Sequence, residues 1–551
     1  MNDAADSRTW SDLKPIVDKM RENIEATPLG RNIGSFVDDM VAANRDRRFW
    51  TFFEEEDGGV ATYGQVQDAI ARTAGGLYAA GIRKGSHVAV MLPNIPAFPI
   101  TWLAIAKLGA VMVPVNVGYT GRELNYVLTD SQSTFLIIHA TCIPAYEALG
   151  DEAPLPPSAV MVVGAGAHEA SGYSRIDDNA PDLPQDLPEP ALDDLVNIQY
   201  TSGTTGFPKG CMLSHRYWLT ISLVAAMRGG EDEDVKNVLA AQPFFYMDPQ
   251  WLTLMAMRVG GQIFVAQRAS STRFMDWVRR YDIEYCLFPE IIYQQPETAA
   301  DGDNRLKRVS VFGFNKEKHA DFERRYHTLA RESFGMTEVG SALFVPREAY
   351  HMVGSGTCGM VSPFREVQIT DPEGNVVPNG EVGELCVRGP GIMQGYYRKP
   401  EANQASFRGD WFRTGDLFWR DEQGFHYIVG RLKDMIRRSG ENIAAREVEA
   451  ALSEMPQILE AAVVGVKDSA RGEEVKAYIV LQPGVSEADA TPMMIFEHCK
   501  SRLASFKTPR FVEYRDALPK TPSEKIAKQK LIAEKPDLRV GSFDRVTNQW
   551  L

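Results

Sequence analysis

The segment YTSGTTGFPKG, residues 200–210, combines the side-chain types that bind a polyphosphate. Its hydroxyl, glycine and lysine residues are Thr201, Ser202, Gly203, Thr204, Thr205, Gly206, Lys209 and Gly210. Glycines allow backbone N–H groups to converge on an anion, hydroxyls donate hydrogen bonds to phosphate oxygens, and a lysine offsets negative charge. We therefore predict a phosphate-binding loop between a strand over residues 194–200 and a helix over residues 212–227.

A Walker A loop and a glycine-rich surface loop are two other interpretations of this segment. The Walker A spacing needs glycine directly before the lysine and Ser or Thr directly after it. Here Pro208 precedes Lys209 and Gly210 follows it, so the spacing excludes a P-loop phosphotransferase. The density of hydroxyl groups between a predicted strand and a predicted helix favours phosphate binding over a simple surface loop.

Five segments, in order and in register, resemble the signatures of the AMP-forming adenylating superfamily. This superfamily includes acyl-CoA synthetases, peptide-synthetase adenylation domains and firefly-type luciferases. The segments are YTSGTTGFPKG (200–210), SFGMTE (333–338), WFRTGDL (411–417), GRLKDMIRRSGENIAAREVE (430–449) and LPKTPSEKIAK (518–528). The resemblance spans about residues 50–535 and implies the use of ATP, Mg²⁺ and coenzyme A. It also implies two half-reactions, in which a carboxylate and ATP form an acyl-adenylate and a thiol then displaces AMP.

The resemblance implies a role for each matching residue. Lys525 is the implied adenylation lysine, and Glu338 with Thr204 is implied to bind Mg²⁺, so these three are the implied catalytic residues. Asp416 is implied to accept hydrogen bonds from the ribose hydroxyls. The other residues implied in ATP and AMP binding are Thr201, Ser202, Gly203, Thr205, Gly206, Lys209, Gly313, Asn315, Ser333, Phe334, Gly335, Met336, Thr337 and Arg431.

The sequence departs from the family pattern beside the catalytic lysine. Glu524 stands where the family usually has glycine. If the backbone there needs a positive φ, glutamate would strain it by about 1–2 kcal/mol. Its carboxylate is also expected to compete with substrate for Lys525.

The predicted acyl pocket departs from the family pattern as well. Tyr246 replaces a histidine and is predicted to gate the pocket, while Phe314 replaces a small residue and is predicted to narrow it against long chains. Asp248 and Glu290 are candidate partners of a cationic head group, with rim residues in water as the alternative. The VFGFN variation (311–315) and the short link to SFGMTE resemble the carnitine/crotonobetaine-CoA ligase branch.

Short apolar runs alternate with helical patterns from about residue 62, which predicts an α/β fold with parallel sheets covered on both faces. We expect a large N-terminal adenylate-forming domain and a small α+β C-terminal domain. The expected ranges are 1–430 for the N-terminal domain (α/β subdomains over about 1–185 and 186–345, a β-rich subdomain over 346–430) and 431–551 for the C-terminal domain.

The small C-terminal domain is expected to be a mobile lid. By resemblance, Lys433 is the hinge about which the lid rotates between the two half-reactions, and Gly440 borders the pantetheine channel of CoA. A hinge needs few contacts and tolerant backbone angles, which the RRSGEN segment offers.

Composition limits the partners of the chain. A net charge of -14 argues against nonspecific binding of nucleic acid or anionic membranes, and neither is expected as a partner. Six scattered cysteines without metal-binding spacing favour a reducing compartment, and the polar N-terminus lacks an apolar signal segment. We therefore expect a cytoplasmic protein whose partners are a small carboxylic acid and CoA. Homodimer formation is left open.

The sequence favours an AMP-forming acyl-CoA ligase that acts on a short- or medium-chain or aromatic carboxylic acid, with polar or cationic acids included. Two alternatives stay open at this point. One is a stand-alone adenylation enzyme that loads a carrier-protein thiol, and the other is an inactive nucleotide-binding regulator.

Overall fold

The computed structural model describes residues 9–53, 59–164, 173, 176, 183–201, 208–230, 235–438, 441–469, 471–521 and 525–551, without the side chains of residues 433, 441 and 442. The described residues form two compact units. The first unit contains those within 9–201, 208–367 and 387–412, and the second contains those within 368–386 and 413–551.

The helices occur in both units, and several begin where the sequence supplies a capping group. Thr62 caps the helix that starts at Tyr63, and the Gln65 side chain accepts a hydrogen bond from the Thr62 N–H in return. The helices are α1 (Trp10–Ala26), α2 (Ile33–Asn44), α3 (Tyr63–Ala79), α4 (Ala97–Lys107), α5 (Gly121–Asp130), α6 (Ile143–Glu147), α7 (His215–Met227), α8 (Met247–Arg258), α9 (Phe274–Arg280), α10 (Glu290–Tyr293), α11 (His319–Tyr326), α12 (Pro400–Ser406), α13 (Ala445–Ser453), α14 (Pro492–Arg502) and α15 (Lys528–Ala533).

Two parallel-rich sheets form the framework of the first unit. The six-stranded sheet has the order β6 (Val160–Val163), β5 (Phe135–His139), β3 (His87–Met91), β4 (Val111–Pro114), β7 (Leu195–Thr201), β8 (Lys209–Ser214). The nine-stranded sheet has the order β15 (Met360–Val361), β14 (Gly340–Phe344), β13 (Leu329–Met336), β12 (Arg308–Val311), β11 (Tyr285–Leu287), β9 (Asn237–Ala240), β10 (Gln262–Val265), β1 (Arg48–Phe52), β2 (Val60–Thr62). The predicted α/β class is confirmed.

A seven-stranded sheet forms the core of the second unit. Its order is β22 (Glu441–Ala444), β21 (Met435–Arg438), β24 (Gly472–Leu481), β25 (Phe511–Tyr514), β26 (Phe543–Asp544), β27 (Gln549–Trp550), with β23 (Ile458–Asp468) paired to β24. Val448 and Leu452 of α13 are buried against it, as their helical spacing predicts. The remaining strands are β16 (Glu366–Thr370), β17 (Gly383–Arg388), β18 (Phe407–Arg408), β19 (Trp411–Arg420) and β20 (His426–Arg431).

The strands of the first unit do not follow chain order. The first strand, β1, pairs in parallel with β10 in the nine-stranded sheet. The later strand β7 pairs with β4 in the six-stranded sheet and carries the antiparallel β8 beside it. The phosphate-loop segment therefore connects two strands of the sheet that is built mainly from the first 165 residues of the chain.

The helix that follows the phosphate-loop segment begins later than predicted. It starts at His215 rather than Met212, because residues 209–214 form β8 and pair with β7. The Ser214 side chain then accepts a hydrogen bond from the Tyr217 N–H at 3.3 Å and caps the helix. Among the described helices, none is both long enough and apolar enough to cross a membrane.

Candidate active site

The ends of the predicted phosphate loop are held by a strand pair. Thr201 at the end of β7 pairs with Lys209 at the start of β8. A Cβ atom on Gly210 would overlap Cγ2 of Ile198, so this glycine is required for close packing between the strands. The predicted binding residues between these ends, Ser202, Gly203, Thr204, Thr205 and Gly206, lie outside the described residues, and their roles stay predictions.

Tyr396 connects the loop lysine to the predicted magnesium carboxylate. The Nζ atom of Lys209 lies 4.6 Å from the centre of the Tyr396 ring, a cation–π distance. The hydroxyl of Tyr396 donates a hydrogen bond to Oε1 of Glu338 at 2.9 Å. Burial, and then the Glu338 carboxylate, raise the pKa of Tyr396, so the phenol stays protonated and donates. Tyr396 lies outside the five motifs, and a single sequence offers no signal that identifies it.

Glu338 lies in the turn between β13 and β14 and is not an exposed loop residue. Its side chain is 7% exposed, and its carbonyl accepts a hydrogen bond from the Met393 N–H at 2.8 Å. The turn depends on Gly335, because a Cβ there would lie 2.5 Å from the carbonyl oxygen of Gly340. Of the other predicted residues of this motif, Ser333, Phe334 and Met336 lie in β13, just before the turn. Thr337 lies in the turn, with its Oγ1 3.6 Å from Met247 Sδ.

The carboxylate of Glu338 suits a magnesium ion that enters with a nucleotide. Within the described ranges, no three His, Cys, Asp or Glu side chains are grouped as a metal cage. Mg²⁺ commonly binds through one or two carboxylates, substrate phosphates and water. A single buried carboxylate, linked through Tyr396 to the lysine that is predicted to bind phosphate, fits that requirement. The second predicted ligand, Thr204, lies outside the described residues.

The segment after β12 is held by a carboxylate that sequence reasoning missed. The N–H groups of Gly313 and Phe314 donate to the two carboxylate oxygens of Glu332 at 3.0 and 2.6 Å. Asn315 caps the following turn by accepting from the Glu317 N–H at 2.9 Å. Because both oxygens of the Glu332 carboxylate accept hydrogen bonds, the segment 313–315, which is predicted to line the adenine site, is fixed relative to β13.

Phe314 packs into the core that this segment covers. Its side chain is 8% exposed and contacts the rings of Phe322, Tyr293 and His319, with centroids 5.2–6.2 Å apart. This packing gives the ring a structural role at the sheet end. That it also narrows the acyl pocket stays a prediction.

Tyr246 stands directly before α8, where buried amides hold the backbone. The Gln250 amide donates to the carbonyl oxygens of Phe244 and Tyr246 at 3.0 Å each. The Gln199 amide of β7 donates to the Phe245 carbonyl at 2.7 Å. The position of the predicted gate is thereby linked to the strand that leads into the phosphate loop.

The two acidic pocket candidates already have partners. Asp248 accepts a hydrogen bond from the Trp251 indole at 3.1 Å. Glu290 lies 4.0 Å from the ammonium group of Lys318, and burial raises the pKa of its carboxyl despite that cation. A cationic ligand would have to compete with these groups, so the prediction of a cationic head group gains no support from the contacts.

Asp416 in the second unit is a buried carboxylate with an unused acceptor. It pairs across β19 and β20 with Arg431, whose Nε lies 2.9 Å from its Oδ1. The Asp416 residue is 2% exposed, and its Oδ2 has no hydrogen-bond partner among the described residues. Burial raises the pKa of Asp416, which the charges of Arg431, Arg446 and Lys525 oppose. An unsatisfied buried carboxylate oxygen is costly unless a ligand donates to it, and the ribose hydroxyls implied by the motif are such donors.

Lys525 is close enough to Asp416 for its charge to lower the pKa of that carboxyl. Its side chain is exposed, while its N–H donates to Thr521 Oγ1 at 3.2 Å and its carbonyl accepts from the Thr521 N–H at 2.7 Å. The backbone is thus held while the ammonium group stays available. Glu524 and Gly440 lie outside the described residues. Lys433 is described only by its backbone, in the 3₁₀ turn Leu432–Asp434.

Replacing Asp416 by asparagine is expected to raise the KM for ATP about tenfold to a hundredfold. An amide has one acceptor oxygen and no charge, and hydrogen bonds to a charged group contribute about 1.5–3 kcal/mol. Steady-state kinetics and calorimetric titration with AMP measure the effect. Glu422→Gln, in the exposed turn between β19 and β20, is the control and should bind AMP like the parent. Parental AMP affinity in Asp416→Asn would contradict ribose binding by this carboxylate.

Comparisons with known proteins agree over most of the chain. The family model described as AMP-binding enzyme matches residues 37–397, and that described as AMP-binding enzyme C-terminal domain matches residues 447–525. The crotonobetaine/carnitine–CoA ligase of Salmonella agona (strain SL483) is 32% identical over 520 residues, which cover 91% of this chain and 99% of the ligase.

Solved structures give the same result. The o-succinylbenzoate CoA synthetase of Bacillus subtilis, in complex with its acyl-adenylate intermediate, is similar with a TM-score of 0.78 and 25% identity. That match covers 91% of this chain and 98% of the synthetase. ATP-bound MatB from Rhodopseudomonas palustris is similar with a TM-score of 0.80 and 25% identity, covering 91% and 99% of the two chains.

Proposed function

Since the chain belongs to the AMP-binding enzyme family, we propose that it is a carboxylic acid–CoA ligase that converts ATP to AMP. The resemblance inferred from the five motifs is confirmed. The observation that carries the proposal is the buried Asp416 carboxylate, with an unused acceptor oxygen and Lys525 within electrostatic reach. The names of the relatives support CoA as the thiol.

In the first proposed half-reaction, a carboxylate oxygen of the acid attacks the α-phosphorus of ATP. The bond from that phosphorus to the bridging oxygen breaks, and pyrophosphate leaves. Charge accumulates on the α-phosphoryl oxygens, so the enzyme acts mainly by positioning and charge stabilisation. Lys525 is proposed to bind these oxygens, Asp416 to hold the ribose, and Lys209 to bind the outer phosphates. Mg²⁺ would neutralise phosphate charge, held by Glu338 with Thr204.

In the second proposed half-reaction, the sulfur of CoA attacks the carbonyl carbon of the acyl-adenylate. The bond from that carbon to the phosphate oxygen breaks, AMP leaves, and the thiol proton passes to solvent. Rotation of residues 431–551 about Lys433 is proposed to withdraw Lys525 and to bring the surface around Gly440 to the thiol. The backbone of Lys433 lies in a short 3₁₀ turn between β20 and β21, a position suited to a hinge.

The proposed substrate is a short- or medium-chain or aromatic carboxylic acid. Two bulky side chains at the predicted pocket support this substrate class: Tyr246, directly before α8, and Phe314, which is buried at the end of the sheet. A cationic acid is included because the curated relatives are named for crotonobetaine and carnitine. A cytoplasmic location is part of the proposal, supported by six buried cysteines that form no disulfide bond with one another. Assembly as a homodimer is not required by it.

The test is an acid library incubated with the full chain, ATP, Mg²⁺ and CoA, with AMP, ADP, pyrophosphate and acyl-CoA measured. We expect acid-dependent AMP and pyrophosphate with acyl-CoA as the product. Pairs of acids matched in size, with and without a quaternary ammonium, decide the charge preference. AMP without acyl-CoA would favour a carrier-protein thiol, the absence of acid-dependent AMP would favour an inactive regulator, and ADP would overturn the proposal.

A further inference from the structure

Helix α1 lies before the region that the family model matches, yet it packs into the first unit. The match begins at residue 37, whereas α1 spans Trp10–Ala26. Its Ile24 is fully buried in a cluster with Leu223 and Val224 of α7, and Met20 and Phe364 pack against the same cluster. The helix is therefore a docked part of this unit.

Phe364 has an unusual backbone conformation where α1 docks. Its φ is +61°, a left-handed value that costs a residue with a Cβ about 1–2 kcal/mol. Such a conformation persists only when its surroundings impose it. Here the Phe364 N–H donates to Oε1 of Glu25 at 2.9 Å, and the ring packs against the cluster that contains Ile24.

A second side chain of α1 binds the next residue. Nη2 of Arg21 donates to the carbonyl oxygen of Arg365 at 3.0 Å, and Nε of Arg21 lies 3.0 Å from Oε1 of Glu25. Arg21 and Glu25 therefore form one ion pair whose two members each hold a backbone group of residues 364–365. We call this pair the α1 clamp.

Arg365 transmits that restraint to the segments that hold Glu338. Its side chain is 2% exposed, and burial lowers its pKa to about 10, so it stays charged near neutral pH. Its guanidinium donates to four carbonyl oxygens at 2.8–3.1 Å, those of Val339, Phe364, Pro390 and Gly391. Val339 follows Glu338 directly, and residues 390–391 lead to Met393, whose N–H binds the Glu338 carbonyl.

We propose that the α1 clamp is a positioning element for Glu338, acting through Phe364 and Arg365. This inference rests on the proposed role of Glu338 in binding Mg²⁺ with ATP. Arg21 and Glu25 touch no reacting atom in the proposal. They hold a strained backbone so that the guanidinium of Arg365 keeps both segments around Glu338 in place. Removing the whole helix would expose Leu223 and Val224 of α7, so substitutions of the clamp are the sharper test.

The test uses the full chain with Arg21→Ala and Glu25→Ala combined. Lys14→Ala with Asp18→Ala is the matched control, because this exposed pair of the same helix lies 2.6 Å apart in the same i, i+4 spacing. We expect the clamp variant to need about three- to tenfold more Mg²⁺ for half-maximal AMP formation, with the KM for the acid within about twofold of the parent. The control should match the parent in both quantities.

A second readout does not depend on turnover. The rise in melting temperature caused by ATP is measured against Mg²⁺ concentration, and the midpoint of that curve should shift upward in the clamp variant only. A parental midpoint in the clamp variant would overturn the inference, even if its melting temperature without ligand had fallen. Failure of the parent to form acid-dependent AMP would count against the proposed function instead, since the binding midpoints would still be measurable.

Discussion

Lys525→Ala is expected to slow acyl-adenylate formation by about 10²–10³-fold. Removing one group that stabilises charge in a transition state typically costs that much. The exposed ammonium group contributes little to the fold, because the backbone of Lys525, not its side chain, is hydrogen-bonded to Thr521. The melting temperature should therefore stay within a few degrees of the parent. Pyrophosphate release in single turnover, without CoA, measures the affected step.

Measuring the two half-reactions separately distinguishes a specific loss of adenylation from a general loss of activity. When acyl-adenylate is supplied with CoA, the variant should form the thioester at close to the parental rate, since Lys525 is proposed to act only in adenylation. Lys530→Ala is the control, an exposed lysine of α15 in the same basic tail. Parental adenylation by Lys525→Ala would remove the central residue of the proposed mechanism.

Glu338→Gln is expected to lower kcat/KM for ATP with Mg²⁺ by about 10²-fold or more. Glutamine keeps the shape of the side chain and an oxygen that can accept from Tyr396, but it loses the negative charge that Mg²⁺ binds. The Mg²⁺ concentration for half-maximal activity should rise steeply. Binding of ATP without Mg²⁺, followed by calorimetry, should be unchanged or slightly tighter, because a buried negative charge is gone.

Tyr396→Phe is the companion variant for the same carboxylate. It keeps the ring beneath Lys209 and removes only the hydroxyl that donates to Glu338. We expect kcat/KM for ATP with Mg²⁺ to fall about three- to tenfold. This corresponds to the loss of one hydrogen bond to a charged group, partly replaced by a hydrogen bond from solvent. An unchanged Mg²⁺ requirement in Glu338→Gln would exclude Glu338 as a magnesium ligand.

The local elements of the fold were predictable because their signals are local. The apolar runs HVAVML, TFLIIHA and AVMVVGA identify β3, β5 and β6 to within two residues of their observed bounds, whereas RVSVFGF extends three residues past the end of β12. The boundary between β8 and α7 was missed, because KGCMLS pairs with β7 only through contacts that the periodicity of the segment does not encode. The sequence pattern likewise could not predict that β1 belongs to the nine-stranded sheet, because β1 pairs with β10, about two hundred residues later in the chain.

The candidate site likewise contains some residues that the sequence predicts and others that only the structure reveals. Motif spacing predicted Lys209, Glu338, Asp416 and Lys525 as candidate site residues, because each belongs to a short segment whose residue types and order are characteristic. The residues that position Glu338, namely Tyr396 and Arg365, have no such local signature. Their roles arise from contacts between segments far apart in the chain, which no window of sequence contains.

By itself, the amino-acid sequence determined the family and, through it, the two proposed half-reactions and the candidate charged groups. Only the tertiary structure decided which of those charges are buried, which acceptor of Asp416 is unused and which distant side chains hold Glu338. The physical reason is that residue type sets what a group can do chemically, whereas burial sets its cost and its need for a partner. Burial is a property of the whole packed chain, as the contact between α1 and residues 364–365 illustrates.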